Sequence, residues 1–113
     1  MNTSRQTARM LSAALVLMLG GAVGAAAAQG NVEDGKVLFT KGATPACAVC
    51  HTLAHAGAAG EIGPVLDELK PDAARVEKAI RNGIGLMPAY TTLSDAQVKL
   101  LADYVARVTG AAN

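Results

Sequence analysis

The chain has 113 residues, room for one domain, with 51% hydrophobic residues, 17% charged residues and a formal net charge of +1. So even a balance excludes a basic nucleic-acid-binding face or a polybasic membrane-surface patch. One phenylalanine, two tyrosines and no tryptophan leave a thin core, and small domains of this kind often rely on a staple or a cofactor.

Residues 1–28 read as a secretory signal peptide. "MNTSRQTARM" carries Arg5 and Arg9 with no acidic residue, "LSAALVLMLGGAVG" is apolar, and "AAAAQG" places Ala26 and Ala28 at cleavage spacing. The alternative is an uncleaved anchor, because Met10 to Ala28 is nearly long enough to span a bilayer. The abundance of Ala and Gly and the cleavage pattern favour removal, and no cysteine stands there to take a lipid. Cleavage after Ala28 leaves one domain, residues 29–113, of 85 residues with eight basic and nine acidic side chains, a net charge of −1.

Within that domain, Glu33 to Lys41 predicts a first helix with Leu38 and Phe39 as its apolar residues and Gly35 as a weak point. "GATP" breaks it, and Cys47 to Leu53 predicts a short second helix. "AGAAGEIGP" (56–64) is loop by composition, and "VLDEL" has the length of a helical turn. Pro71 and Asp72 open a third helix with Ala73, Val76, Ala79 and Ile80 on one face and Gly83 past its end. "GIGLMPAYTT" (83–92) is loop again. The last helix has a capping box, Ser94 with Gln97, a stripe of Val98, Leu101, Val105 and Val108, and Gly110 as its stop. No segment sustains two-residue alternation, so the expected class is all-α, with four or so helices.

The chemistry concentrates in "CAVCHTLAH", residues 47–55. A redox disulfide of this spacing needs a fold with parallel strands, which the pattern does not offer. Zinc needs four ligands, and beyond Cys47, Cys50 and His51 only His55 is near. A structural disulfide would close a tiny loop, remove little chain entropy and leave His51 without a role. C-x-x-C-H is the attachment signal for one covalent haem c: Cys47 and Cys50 form thioethers with the porphyrin, and His51 is aimed at iron. Covalent haem attachment in bacteria takes place outside the cytoplasm, so the signal peptide and the motif agree on the periplasm.

His55 follows His51 by four residues; on one helix it would share a face with His51 and could not reach the far side of a porphyrin. An exposed or loop-capping histidine is the plainer reading of His55. Met1, Met10 and Met18 leave with the signal, so Met87, 36 residues after His51 and next to Pro88, is the candidate for the second axial position. The competing view of Met87 is a gap-filling core residue. A His51/Met87 pair would leave iron no open site, which makes electron transfer, with no catalysis of its own, the expected activity. Without Met87 on iron, a five-coordinate haem enzyme or sensor remains open, as does a haem-free CxxC module.

"EDGKVLF", "CAVCH", "IGPVL", "GIGLMPAY" and "LSDAQVKLLADYVARV" stand in the order and spacing of class I monohaem c-type cytochromes, which the domain resembles along its whole length. The resemblance implies the small cytochrome c fold. It also implies that Gly35 and Phe39 meet Tyr104 where the first and last helices cross, and that the Pro64 carbonyl orients His51. Residues 60–90, "GEIGPVLDELKPDAARVEKAIRNGIGLMPAY", are further similar to the haem subunit of bacterial sulfite dehydrogenases. That likeness implies a molybdopterin sulfite-oxidising subunit as redox partner; a freely diffusing carrier to a terminal oxidase is the alternative. Ala48, Val49, Met87, Pro88 and Ala89 are expected to border the exposed haem edge, and Arg81 is a candidate for the haem propionates.

Overall fold

The computed structural model describes residues 31–112, so the expected signal peptide lies outside the described residues. Helix α1 runs through 31–37 and continues as a π-helical turn, Leu38–Gly42, closed by a bond from the Ala43 amide to the Leu38 carbonyl. The Thr40 hydroxyl donates back to the Lys36 carbonyl at 2.8 Å, a side-chain competitor for the helical ladder just where the wider turn sets in.

Helix α2, Cys47–Cys50, is a single turn. It is shorter than the expected 47–53, because His51 is extended at φ −114° and ψ 141°. Thr52–Leu53 (β1) then pairs antiparallel with Ala58–Ala59 (β2), with Thr52 opposite Ala59 and Leu53 opposite Ala58. A 3₁₀ turn, Ala54–Ala56, and left-handed Gly57 join the two. The fold is therefore mostly helical but not strictly all-α. Two-residue strands carry no alternation to detect, and the Thr52 hydroxyl reinforces the hairpin by donating to the Gly60 carbonyl at 2.9 Å.

Helix α3 is the expected turn, Leu66–Leu69. Helix α4, Ala73–Asn82, starts on Asp72, whose side chain accepts from the Arg75 amide at 2.7 Å, and ends at Gly83 with φ +69°. Helix α5, Asp95–Val108, has the complete Ser94–Gln97 capping box and packs along α4 and against the end of α1. It buries Val98, Leu101, Tyr104 and Val105, and also Ala102 and Ala106, so it is enclosed on more than one stripe.

The α1–α5 crossing has the geometry that the resemblance implied. The Phe39 and Tyr104 rings tilt at 59° with centroids 6.1 Å apart. A β-carbon added at Gly35 would land on Tyr104 Cβ and lie 2.6 Å from its Cγ, so only glycine lets these backbones approach. Phe39, Leu53, Leu101, Tyr104 and Val105 belong to one continuous core.

Candidate functional site

Between α2, α3, α4 and the 83–90 loop lies an apolar cavity of about 650 Å³, within the range of small-molecule and cofactor sites. Cys47 and Cys50, one helical turn apart on α2, are both free thiols in its wall. His51 adjoins them, and Pro64 and Met87 line the same space. The sequence thus named five residues that the fold brings to one cavity from three separate segments.

His51 is set from two sides. Its Nδ1 lies 2.8 Å from the Pro64 carbonyl oxygen, which can only accept, so Nδ1 carries the proton and Nε2 is left with its lone pair. Such a bond holds the ring in place and raises its basicity toward a metal. Gly63 makes room for it: a β-carbon there would come within 2.8 Å of the ring Nδ1. Gly63 also donates its amide to the Cys50 carbonyl at 2.7 Å, tying the "IGP" loop to α2.

Met87 sits in a loop that is more ordered than its composition implied. Ile84 and Met87 exchange backbone bonds of 3.1 and 2.9 Å, and the Tyr90 amide donates to the Ile80 carbonyl at 2.8 Å. The Tyr90 hydroxyl donates to the Pro45 carbonyl at 2.8 Å, which links the methionine loop to the entry of α2. Tyr90 was not singled out from the sequence; an aromatic residue in an otherwise aliphatic loop was the available signal. Together these bonds fix the loop that carries Met87 into the wall of the cavity that His51 also lines.

The state of the Cys47 thiol weighs against the rival chemistries. Burial pushes the Cys47 thiol up to about 11, against a lowering backbone hydrogen bond and with a further push from Cys50. A thiol protonated at neutral pH is a poor metal ligand and a slow partner in disulfide exchange. Among the described residues no group of three His, Cys, Asp or Glu side chains could hold a metal ion. Two adjacent thiols, a histidine with its Nε2 free and a thioether in an apolar cavity fit a covalently held metalloporphyrin.

His55 is absent from the cavity wall. The helical premise for dismissing it was wrong, since the chain leaves the helix at His51, but its place is clear: it is exposed, and its Nδ1 lies 2.9 Å from the Tyr104 hydroxyl. Arg81 is also placed elsewhere. It bonds Glu77 at 3.0 Å and Asp95 at 2.7 Å, bracing α4 against the start of α5, outside the cavity wall. Of the expected rim, Met87 and Pro88 line the cavity, Val49 is 59% exposed and Ala89 is exposed.

Residues 30–105 match the family described as "Cytochrome C oxidase, cbb3-type, subunit III". The chain is similar to the crystal structure of the c-type cytochrome SorU from Sinorhizobium meliloti, with 50% sequence identity and a TM-score of 0.70. That similarity covers 73% of this chain and 94% of the other. No curated protein matches it.

Proposed function

The chain belongs to the monohaem c-type cytochromes and carries a covalently bound haem c, and from that premise we propose that it is a periplasmic electron carrier with His51 and Met87 as axial ligands. Haem held this way supplies one-electron redox chemistry, and the polypeptide supplies its attachment, orientation and shielding. Cys47 and Cys50 form the thioethers, the Pro64 carbonyl fixes the His51 tautomer, and Met87 closes the second face. A neutral thioether ligand favours the reduced state and raises the potential. With both faces closed, the site passes electrons and does no bond chemistry.

The observation that carries this reading is the convergence of Cys47, Cys50, His51 and Met87 on one apolar cavity, with His51 Nδ1 already engaged by Pro64. The absorption and resonance Raman spectra of the oxidised protein test it. A low-spin, methionine-ligated spectrum that becomes high-spin in Met87→Ala is expected. A high-spin resting protein would replace the carrier with a five-coordinate haem enzyme or sensor.

Export rests on the signal-peptide pattern of residues 1–28, and the family match starts just after it, at residue 30. N-terminal sequencing of the periplasmic protein should find Gln29 first. For the partner, the likeness of residues 60–90 to sulfite dehydrogenase haem subunits points to a molybdopterin sulfite-oxidising subunit as electron donor. The description of the matched family favours a second reading, delivery of electrons to a terminal oxidase. Rapid reduction of the oxidised protein by a sulfite-oxidising molybdoenzyme, only when sulfite is present, separates the two.

A further inference from the structure

Met87 lines the cavity from a loop that α4 pins at both ends. At its start, Gly83 at φ +69° folds the chain back on itself. A β-carbon there would stand 2.7 Å from the Met87 carbonyl oxygen and 2.9 Å from the Ala89 amide nitrogen. At its end, the Tyr90 amide returns to the Ile80 carbonyl at 2.8 Å, and between the two Ile84 and Met87 bond each other. These contacts shape the loop, but all of them lie within α4 and the loop itself. The Tyr90 hydroxyl reaches further: it donates at 2.8 Å to the carbonyl of Pro45, two residues before Cys47. That bond joins the methionine loop to the segment that anchors the haem, and Tyr90 itself lines the cavity.

We propose that Tyr90 is a positioning residue: its hydroxyl latches the Met87 loop to the haem-attachment segment and so keeps external ligands off the second face of the haem. The proposal rests on the His51/Met87 ligation read above. An external donor such as imidazole competes with Met87 for one coordination position, and it gains that position only when the loop swings out. Its apparent affinity is reduced by the small fraction of molecules that are open. A bond confined to α4 and the loop can move with the loop, whereas the bond to Pro45 has to break.

Imidazole titration of the oxidised holoprotein, followed by loss of the sulfur-to-iron charge-transfer absorption, tests this. Tyr90→Phe keeps the ring in the cavity wall and deletes the bond to Pro45. It should bind imidazole about fivefold more tightly than the wild type. At 1.4 kcal/mol per tenfold that is about 1 kcal/mol, the size of one hydrogen bond. Without imidazole it should keep the wild-type low-spin, methionine-ligated spectrum. The reference is Tyr104→Phe, which deletes a phenol hydroxyl that bonds His55 at the α1–α5 crossing. It should bind imidazole as the wild type does. A merely structural role for Tyr90 would leave the two variants alike in imidazole affinity, and that result overturns the proposal. A wild type without a methionine-ligated spectrum before imidazole is added would overturn the axial reading, and the latch with it.

Discussion

The two sides of α5 are built on opposite terms. Toward α1, polypeptide packs on polypeptide: Gly35, Phe39 and Tyr104 meet with no space to spare, and Phe39 and Tyr104 are each 2% exposed. Toward α2 and the methionine loop, Leu101 and Val105 look into a cavity of about 650 Å³. The first side is complete as protein, whereas the second is a mould for a group that the chain must acquire. A thin-cored domain thus seals one contact with Tyr104, and its other two aromatic residues, Phe39 and Tyr90, stand in the wall of the space left to a cofactor.

Breaking the cofactor side should have the largest effect. Without haem, the apolar wall of a cavity of about 650 Å³ stands open to water, and apolar burial is the main favourable contribution to a small domain's marginal stability. The double variant Cys47→Ala/Cys50→Ala, unable to anchor haem, should lose its cooperative thermal transition by circular dichroism. A sharp melt near that of the holoprotein would show that the cavity closes without help.

Breaking the protein side should cost less and leave the haem signature intact. Gly35→Ala forces its new β-carbon onto Tyr104, and overpacking of this kind costs about 1–3 kcal/mol. The expected result is a lower denaturant midpoint with an unchanged low-spin absorption spectrum. A changed spectrum would mean that the two sides are coupled through α5.

A finer cut separates packing from hydrogen bonding at the same crossing. Tyr104→Phe keeps the ring and removes the bond to His55, a loss of about 1 kcal/mol at neutral pH. The Tyr104 phenol is pushed up from 10.0 to about 12, by burial first and then by Glu33 and Asp67. A phenol harder to ionise folded than unfolded contributes stability that is whole below pH 10 and disappears as pH rises toward 12. Denaturation followed across that window should fall less steeply for Tyr104→Phe than for the wild type. The Tyr90 phenol, also pushed up to about 12, remains in the variant and keeps part of the slope.

The smallest effect is expected at Arg81. Its bonds to Glu77 and Asp95 are exposed, and ion pairs of that kind are weak and screened. Arg81→Gln should lower the melting temperature slightly at low ionic strength and not at all in concentrated salt. A large loss would make the α4–α5 brace a third structural element beside the two sides of α5.

How much was legible beforehand followed from how local each signal was. The α5 capping box, the Asp72 cap and the Gly83 stop lie within a few residues of what they organise, and each stands where the sequence put it. The two-residue strands were invisible because a hairpin this short has no periodicity, only a backbone that leaves the helix at His51. Gly63 and Tyr90 were passed over because their parts in the site depend on distant neighbours. Gly63 acts on a ring twelve residues earlier, and Tyr90 bonds a carbonyl 45 residues away.

The sequence by itself determined the attachment motif, the order of the helices and Met87 as the candidate to pair with His51, because covalent spacing, capping and elimination need no third dimension. Only the tertiary structure decided which residues share the cavity, that His55 serves Tyr104, and that Arg81 braces α4 against the start of α5 outside the cavity wall. Those outcomes depend on how α4 turns about its axis and where the hairpin folds back, and both are set by packing against α5 and α3.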